Sequence, residues 1–357
     1  MIATIPDLLR LLALPAFGWA AYRDVETRRV PNRTWYPLAA LAAVLLVWEL
    51  APAIAGGIGP ADRLGLVRTA VSIGFVLPLA YGFWLIGGFG GADAKAFFVV
   101  ALLFPTYPAY DLAGIGLGQV PAVRTAVGVF SLTVLSNTVL MGAAYPLVLA
   151  ARNAAAGYVS PGMFVAKPIP AAEATAEYGT ILEFSDRSLT DDLSPSGLRE
   201  FFSYRGLDLD ALRMYLQWRD LSLASLRADP ERYRDPDSLP DEPGDPGDGS
   251  ITVTGDGGGA GTDRAGGGPT SDWDGPGTTD PGTDDPWGAD AFLSDIEGSA
   301  YGTTPERLRT GLDLLAGAET VWVSPGIPFL VPLFVGLLVS LTVGDLLFVG
   351  MDAAGLL

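Results

Sequence analysis

Five long apolar runs constrain this chain most strongly: Tyr36–Ala55, Leu66–Phe89, Ala94–Tyr110, Ala126–Ala151 and Ile327–Gly350, all poor in charge. A bilayer's hydrocarbon core of about 30 Å is crossed by roughly 20 apolar helical residues. Within it, only helices or closed barrels satisfy their own backbone polar groups. The runs therefore predict membrane-spanning helices, with Ala94–Tyr110 the shortest. A further run, Ile5–Tyr22, carries Asp7 and Arg10 near its start and leaves Leu11–Tyr22 as its unbroken apolar core. No small-x-small cleavage pattern follows it, only Arg23, Asp24, Val25 and Glu26, so it reads as a retained first span rather than a cleaved leader. The expected fold is an all-α polytopic membrane protein of six transmembrane helices, with a small mixed α/β insertion between helices five and six.

Orientation follows from the positive-inside rule. The first loop contains Arg23, Arg28, Arg29 and Arg33, which places it on the cytoplasmic side. Alternation then puts Gly90–Lys95 and residues 152–326 inside as well, and both termini outside. Arg63, Arg68 and Arg124 fall on the outer side, so the remaining loops add little.

Residues 152–326 hold 13 basic and 31 acidic residues, whereas the rest of the chain is balanced. All of the net charge of −18 therefore lies in this block. The sign repels nucleic acid, and the acid excess with 20 arginines against two lysines points to a high-salt source. The expected domains are 1–151, with spans one to five; 152–234, a small cytoplasmic domain; 235–290, a disordered acidic loop; 291–326, a helix and return segment; and 327–357, the sixth span. Within 152–234, Tyr178–Phe184 reads as a strand, a helix opens near Ser196, and Asp208–Arg227 carries leucines on one helical face. Residues 235–290 contain 15 glycines, 8 prolines and 14 acids, leaving little to bury. Thr303-Thr304-Pro305-Glu306 opens a helix by its capping-box spacing, and Thr320–Val323 is a candidate partner for the first strand.

The chain has no histidine and no cysteine. That excludes catalytic triads and dyads that need an imidazole or a thiol, HExxH zinc sites, disulfides and Fe–S clusters. Protic chemistry is left to carboxylates, hydroxyls, Lys95 and Lys167, and acid pairs lead. An ionisable group at membrane depth costs several kcal/mol unless it faces a wet cavity or a partner, which makes it a functional candidate. Asp24, at the inner end of span one, and Asp93, between spans three and four, reach the same predicted interface. Glu49 and Asp345 lie toward the outer ends of spans two and six, while Asp7, Asp62 and Asp111 belong to outer termini or loops. Two close carboxylates sharing a proton let one activate water while the other polarises a carbonyl. Glycines at 87, 88, 90 and 91 would let an extended backbone approach Asp93. The plainer reading, that Asp24 marks a helix end beside Arg28 and the glycines form a turn, stays open on spacing alone.

Asp24-x-x-x-Arg28-Arg29-Val30-Pro31-Asn32 and Gly90-Gly91-Ala92-Asp93-Ala94-Lys95 resemble the two signature segments of the type IV prepilin peptidases, especially the archaeal prepilin and preflagellin peptidases. Ser324-Pro325-Gly326-Ile327-Pro328-Phe329 resembles the approach to the last span in archaeal members. Together with the acid excess, this suggests a haloarchaeal source. The resemblance covers roughly 5–150 and 324–350. It implies an intramembrane aspartyl endopeptidase of the GxGD type, with Asp24 and Asp93 as its catalytic pair and Gly90, Gly91 and Ala92 supporting the second motif. Ala92 stands where many such proteases have a glycine. The implied partners are pilin and archaellin precursors, cut at the cytoplasmic face, and the lipid bilayer. No cofactor, metal or nucleic acid is implied. Nothing in the chain matches the cysteine-rich loop or the methyl-donor motif of the bacterial branch, so cleavage alone is expected. Two rivals remain: a solute or ion carrier, which usually places its carboxylates near the midplane with repeat symmetry, and a non-enzymatic adaptor recruiting partners through the acidic loop.

Overall fold

Apolar helices account for most of the first 144 residues of the computed structural model, which describes residues 2–56, 59–85, 89–116, 118–182, 206–251, 285–296, 300–326 and 328–356. The described residues form two units, one of 2–144 and 328–356, the other of 145–251 and 285–326. In the first unit, the N-terminal run divides into α1 (Ile5–Arg10) and α2 (Ala13–Thr27). Next come α3 (Trp35–Gly56), α4 (Pro60–Val71), a π-helical turn at Ser72–Val76, and α5 (Leu77–Leu85). The Ser72 hydroxyl meets the Ala101 carbonyl and the Ser131 hydroxyl, both at 2.7 Å, so this turn is a buried polar contact rather than a break.

α6 (Gly91–Leu103) ends seven residues before the expected Tyr110. Phe104 leaves the helical region (φ −125°, ψ 55°) because Pro105 follows it and disfavours an α conformation before it. A two-stranded antiparallel ladder, β1 (Tyr110–Asp111) with β2 (Gln119–Val120), leads to α7 (Phe130–Ala155). Among the described residues, three helical segments are long and apolar enough to cross a membrane: Asn32–Ala51, Arg63–Leu85 and Phe130–Ala155. Their outward side chains, including Val44, Val47, Leu147 and Val148, are large, apolar and exposed, as a lipid-facing surface requires. This is a membrane protein.

The second unit begins with the end of α7 and continues through β3 (Lys167–Pro170) and β4 (Thr180–Leu182). Residues 183 and 184 of the expected strand and the helix expected near Ser196 lie outside the described residues. The leucine-patterned stretch is not one helix. It breaks into α8 (Leu209–Trp218) and α9 (Leu223–Ala228), because Asp220 adopts a left-handed conformation (φ 48°) between them. α10 (Pro230–Arg234), α11 (Ala289–Asp295) and α12 (Pro305–Gly317) follow. α12 starts as expected, except that its cap is Thr304, whose hydroxyl accepts from the Arg307 amide. β5 (Thr320–Ser324) is the centre of an antiparallel sheet ordered β3-β5-β4, with Ile181 opposite Val323.

A correction concerns 235–290. Its described flanks are ordered: Pro236–Ser238 and Pro286–Gly288 are 3-10 turns, and the Trp287 ring is among the most buried side chains (1% exposed). Trp287 packs in one core with Tyr215, Phe292, Leu308 and Leu312, a concentration of apolar area that a window of glycines and acids conceals. Residues 252–284 lie outside the described residues.

The chain returns to the first unit as α13 (Leu330–Thr342) and α14 (Leu346–Ala353), rather than as one span from Ile327 to Gly350. Gly344 takes φ +101° at the break, and the Ala122 and Val123 amides bond the carbonyls of Thr342 and Val343. Asn137 of α7 completes this corner, donating to Ser340 Oγ and the Gly344 carbonyl at 2.8 Å and accepting from the Leu346 amide at 3.0 Å.

Candidate active site

Asp24 sits in the last turn of α2 and is buried (9% exposed). The helix stops just beyond it because Arg28 turns left-handed (φ 54°), its amide closing on the Asp24 carbonyl at 3.2 Å. Thr27 Oγ1 donates to the Arg23 and Arg29 carbonyls, fixing the turn, and Pro31 prevents helical continuation into α3. The carboxylate is held from a distant part of the chain. Its Oδ2 accepts the Leu330 amide at 3.1 Å. Leu330 opens α13, and the first amides of a helix lack intrahelical partners and carry the positive end of its dipole.

Asp93 lies in the first turn of α6, where its Oδ2 accepts the Gly90 amide at 3.0 Å. Gly90 is extended (φ −67°, ψ 160°), and a Cβ there would sit 3.0 Å from that same oxygen, so glycine is the residue that lets the carboxylate fold back on its own amide. Asp93 lies within electrostatic range of Asp24. Arg28 in turn acts on Asp24. The two aspartates picked out in the sequence both lie near the start of α13: Asp24 bonds the Leu330 amide, and Phe97, one turn along α6 from Asp93, packs on Phe329 at 5.9 Å, with Gly90, Gly91 and Ala92 forming the entry to α6. Gly87 and Gly88 lie outside the described residues.

An aromatic wall stands beside the pair. The Phe89 ring centroid lies 5.1 Å from Phe83, 5.4 Å from Phe97 and 4.9 Å from Phe329. Phe329 immediately precedes Leu330, so its packing positions the amide that bonds Asp24. A cavity of about 190 Å³ flanks α6, lined by Tyr81, Trp84, Gly91, Ala94, Lys95 and Phe98. Its α6 residues recur at i, i+3, i+4 and i+7, and Asp93 lies off that stripe, so the cavity is beside the helix rather than over the carboxylates. Among the described residues, no three carboxylates gather in a way that would hold a metal ion.

The other acidic residues of the apolar segments have separate partners. Arg10, 2% exposed, donates to Asp7 Oδ1 at 2.7 Å, Glu49 Oε2 at 2.6 Å and the Leu103 carbonyl at 2.7 Å. Asp345 caps α14 through the Leu347 and Phe348 amides and accepts the Thr133 hydroxyl at 2.9 Å. Sequence reasoning missed the Leu330 amide because any residue type supplies one. The cluster of Phe83, Phe89, Phe97 and Phe329 was missed as well, because its members come from segments far apart in sequence.

A membrane protein with one aspartate at the end of α2 and another at the start of α6, each bonded by a backbone amide, is the class that the fold and site define. Residues 11–147 match the type IV leader peptidase family, and residues 294–346 match the archaeal Peptidase A24 C-terminus, type II. The chain belongs to the type IV leader peptidase family. It is similar to prepilin peptidase EppA of Methanothermobacter thermautotrophicus, 30% identical over 144 residues, which is 39% of this chain. The match spans about a third (34%) of that relative's length. No solved structure matches the chain.

Proposed function

We propose that the chain is an aspartic endopeptidase that removes the short basic leader from precursors of type IV pilins and archaellins at the cytoplasmic face of the membrane. Asp24 and Asp93 are its catalytic pair. One carboxylate, ionised, takes a proton from water as the water oxygen attacks the scissile carbonyl carbon. The other, protonated, gives its proton to the carbonyl oxygen. Proton transfer to the leaving nitrogen then accompanies C–N cleavage, and the pair returns to its singly protonated state. The observation that carries this reading is that Asp24 and Asp93, each held by one backbone amide, sit at helix ends that meet around Phe329 and Leu330.

The finer architecture belongs to the same reading. Six spans cross the membrane, residues 1–151 carry both motifs, and 152–234 and 291–326 are cytoplasmic elements joined by 235–290. The test is purified chain mixed with a precursor pilin in detergent, followed by mass measurement of both fragments. A leader released at a single bond by the native chain, and by neither Asp24→Asn nor Asp93→Asn, supports the assignment. Intact precursor after incubation with well-folded native chain argues for the adaptor instead.

A further inference from the structure

We propose that Lys95 is a positioning residue for the acidic pair, acting through Asn32. The inference rests on the proteolytic reading above. Lys95 Nζ donates to Asn32 Oδ1 at 2.6 Å across 63 positions of sequence, in a partly buried setting. Asn32 stands eight residues after Asp24 and Lys95 two after Asp93, so this one bond joins the two segments that carry the carboxylates. The lysine stem lines the apolar cavity with Tyr81, Trp84, Gly91, Ala94 and Phe98, and its ammonium emerges from that wall onto the amide oxygen.

The bond has leverage because of where Asn32 lies. Asn32 opens the 3-10 turn Asn32–Thr34, directly after Pro31, four residues beyond the αL residue Arg28 and directly before α3. The α2–α3 connection therefore has little helical hydrogen bonding of its own. A charge-assisted bond from α6 ties its Asn32 end to the helix that carries Asp93. Lys95 is about 200° round the helix from Asp93, so its effect on the chemistry is geometric rather than through contact with the reacting atoms. A misplacement of about 1 Å in such a pair can lower the rate on the order of a hundredfold.

The experiment is a double-mutant cycle on precursor cleavage in detergent, with kcat and KM measured separately and insertion checked by resistance to trypsin. Lys95→Met and Asn32→Ala should each lower kcat by about tenfold or more, with KM within about twofold. The double variant should be no worse than the worse single variant, because one shared bond is lost only once. Lys95→Arg and Asn32→Asp, which keep a cationic donor and an oxygen acceptor, should stay within a few-fold of the native chain. Losses that multiply in the double variant, or a native kcat in Asn32→Ala, would overturn the inference. If Lys95→Met does not insert, Asn32→Ala against Asn32→Asp decides, and equal activity in those two overturns it. Asp93→Asn runs alongside: cleavage by that variant would sink the proteolytic reading itself, whatever the outcome at Lys95.

Discussion

Arg10 is the cation on which the buried charge of the N-terminal segment depends, with Asp7, Glu49 and a helix-terminal carbonyl all on one guanidinium. Removing Arg10 leaves the buried Asp7 carboxylate uncompensated, at a cost of about 3–5 kcal/mol, and takes the partner from the half-buried Glu49 as well. Arg10→Met should therefore lower the melting temperature in detergent markedly. A triple change that also neutralises Asp7 and Glu49 should recover much of the loss, whereas an unchanged melt for Arg10→Met would show the network to be idle. Outside the membrane segments, Asp208 gives a pH-dependent counterpart. Burial, and secondarily the charge of Asp210, push its carboxyl up to about 6. A carboxyl whose folded value lies above its unfolded value of 3.8 binds its proton more tightly in the folded state, so its contribution declines as pH rises from about 4 to about 6. Asp208→Asn keeps an oxygen for the Asp210 amide and should flatten that part of the stability–pH curve. The difference at neutral pH should be roughly 1–3 kcal/mol in favour of the amide. A curve unchanged by the substitution would contradict this.

At the scale of elements, α7 and α13 approach closely enough that only glycine fits between them. A Cβ on Gly336 would lie 2.8 Å from the Thr138 amide nitrogen. Small residues permit this backbone approach in membrane helices, where packing rather than hydrophobic exclusion drives association. Gly336→Leu should force the helices apart and destabilise the unit by about 1–3 kcal/mol or more, read as a lower detergent melt. Gly350→Leu, with no atoms near its Cβ position, should be close to neutral and serves as the control. Equal melts for the two would mean the contact is not close in solution.

The same elements mark what the sequence made legible. Apolar runs located α3, the α4–α5 segment and α7 because their signal is local. The strand pair β4–β5 was recognisable for the same reason. Asp24 and Asp93 stood out because few carboxylates occur near apolar runs. The break at Gly344 was hidden, since it depends on Val123 and Asn137, more than two hundred residues away. Arg10 could not be matched to Glu49 from spacing. Trp287 was lost in the average composition of its neighbours.

For the whole molecule, a cut at the cytoplasmic face requires the arginine-bearing first loop and the polar block to share that side. The chain lacks cysteine, so introduced thiols report without background. Cysteine at Arg33 or Gly244 should be shielded from an impermeant thiol reagent in intact cells and react after lysis, and cysteine at Asp352 should react in both. Labelling of position 244 from outside would reverse the orientation and place the acidic pair on the wrong face for a basic leader.

Whether the proposed pair Asp24 and Asp93 acts as one unit is read from kcat/KM for Asp24→Asn, Asp93→Asn and the double variant. Asparagine keeps the shape and removes the titratable oxygen. Groups that share one proton in one step are grossly non-additive when removed. Each single variant should fall to the residual rate of the double variant while remaining inserted and folded. Single variants that retain intermediate rates and multiply to give the double, or that cleave precursor at the native rate, would contradict the account.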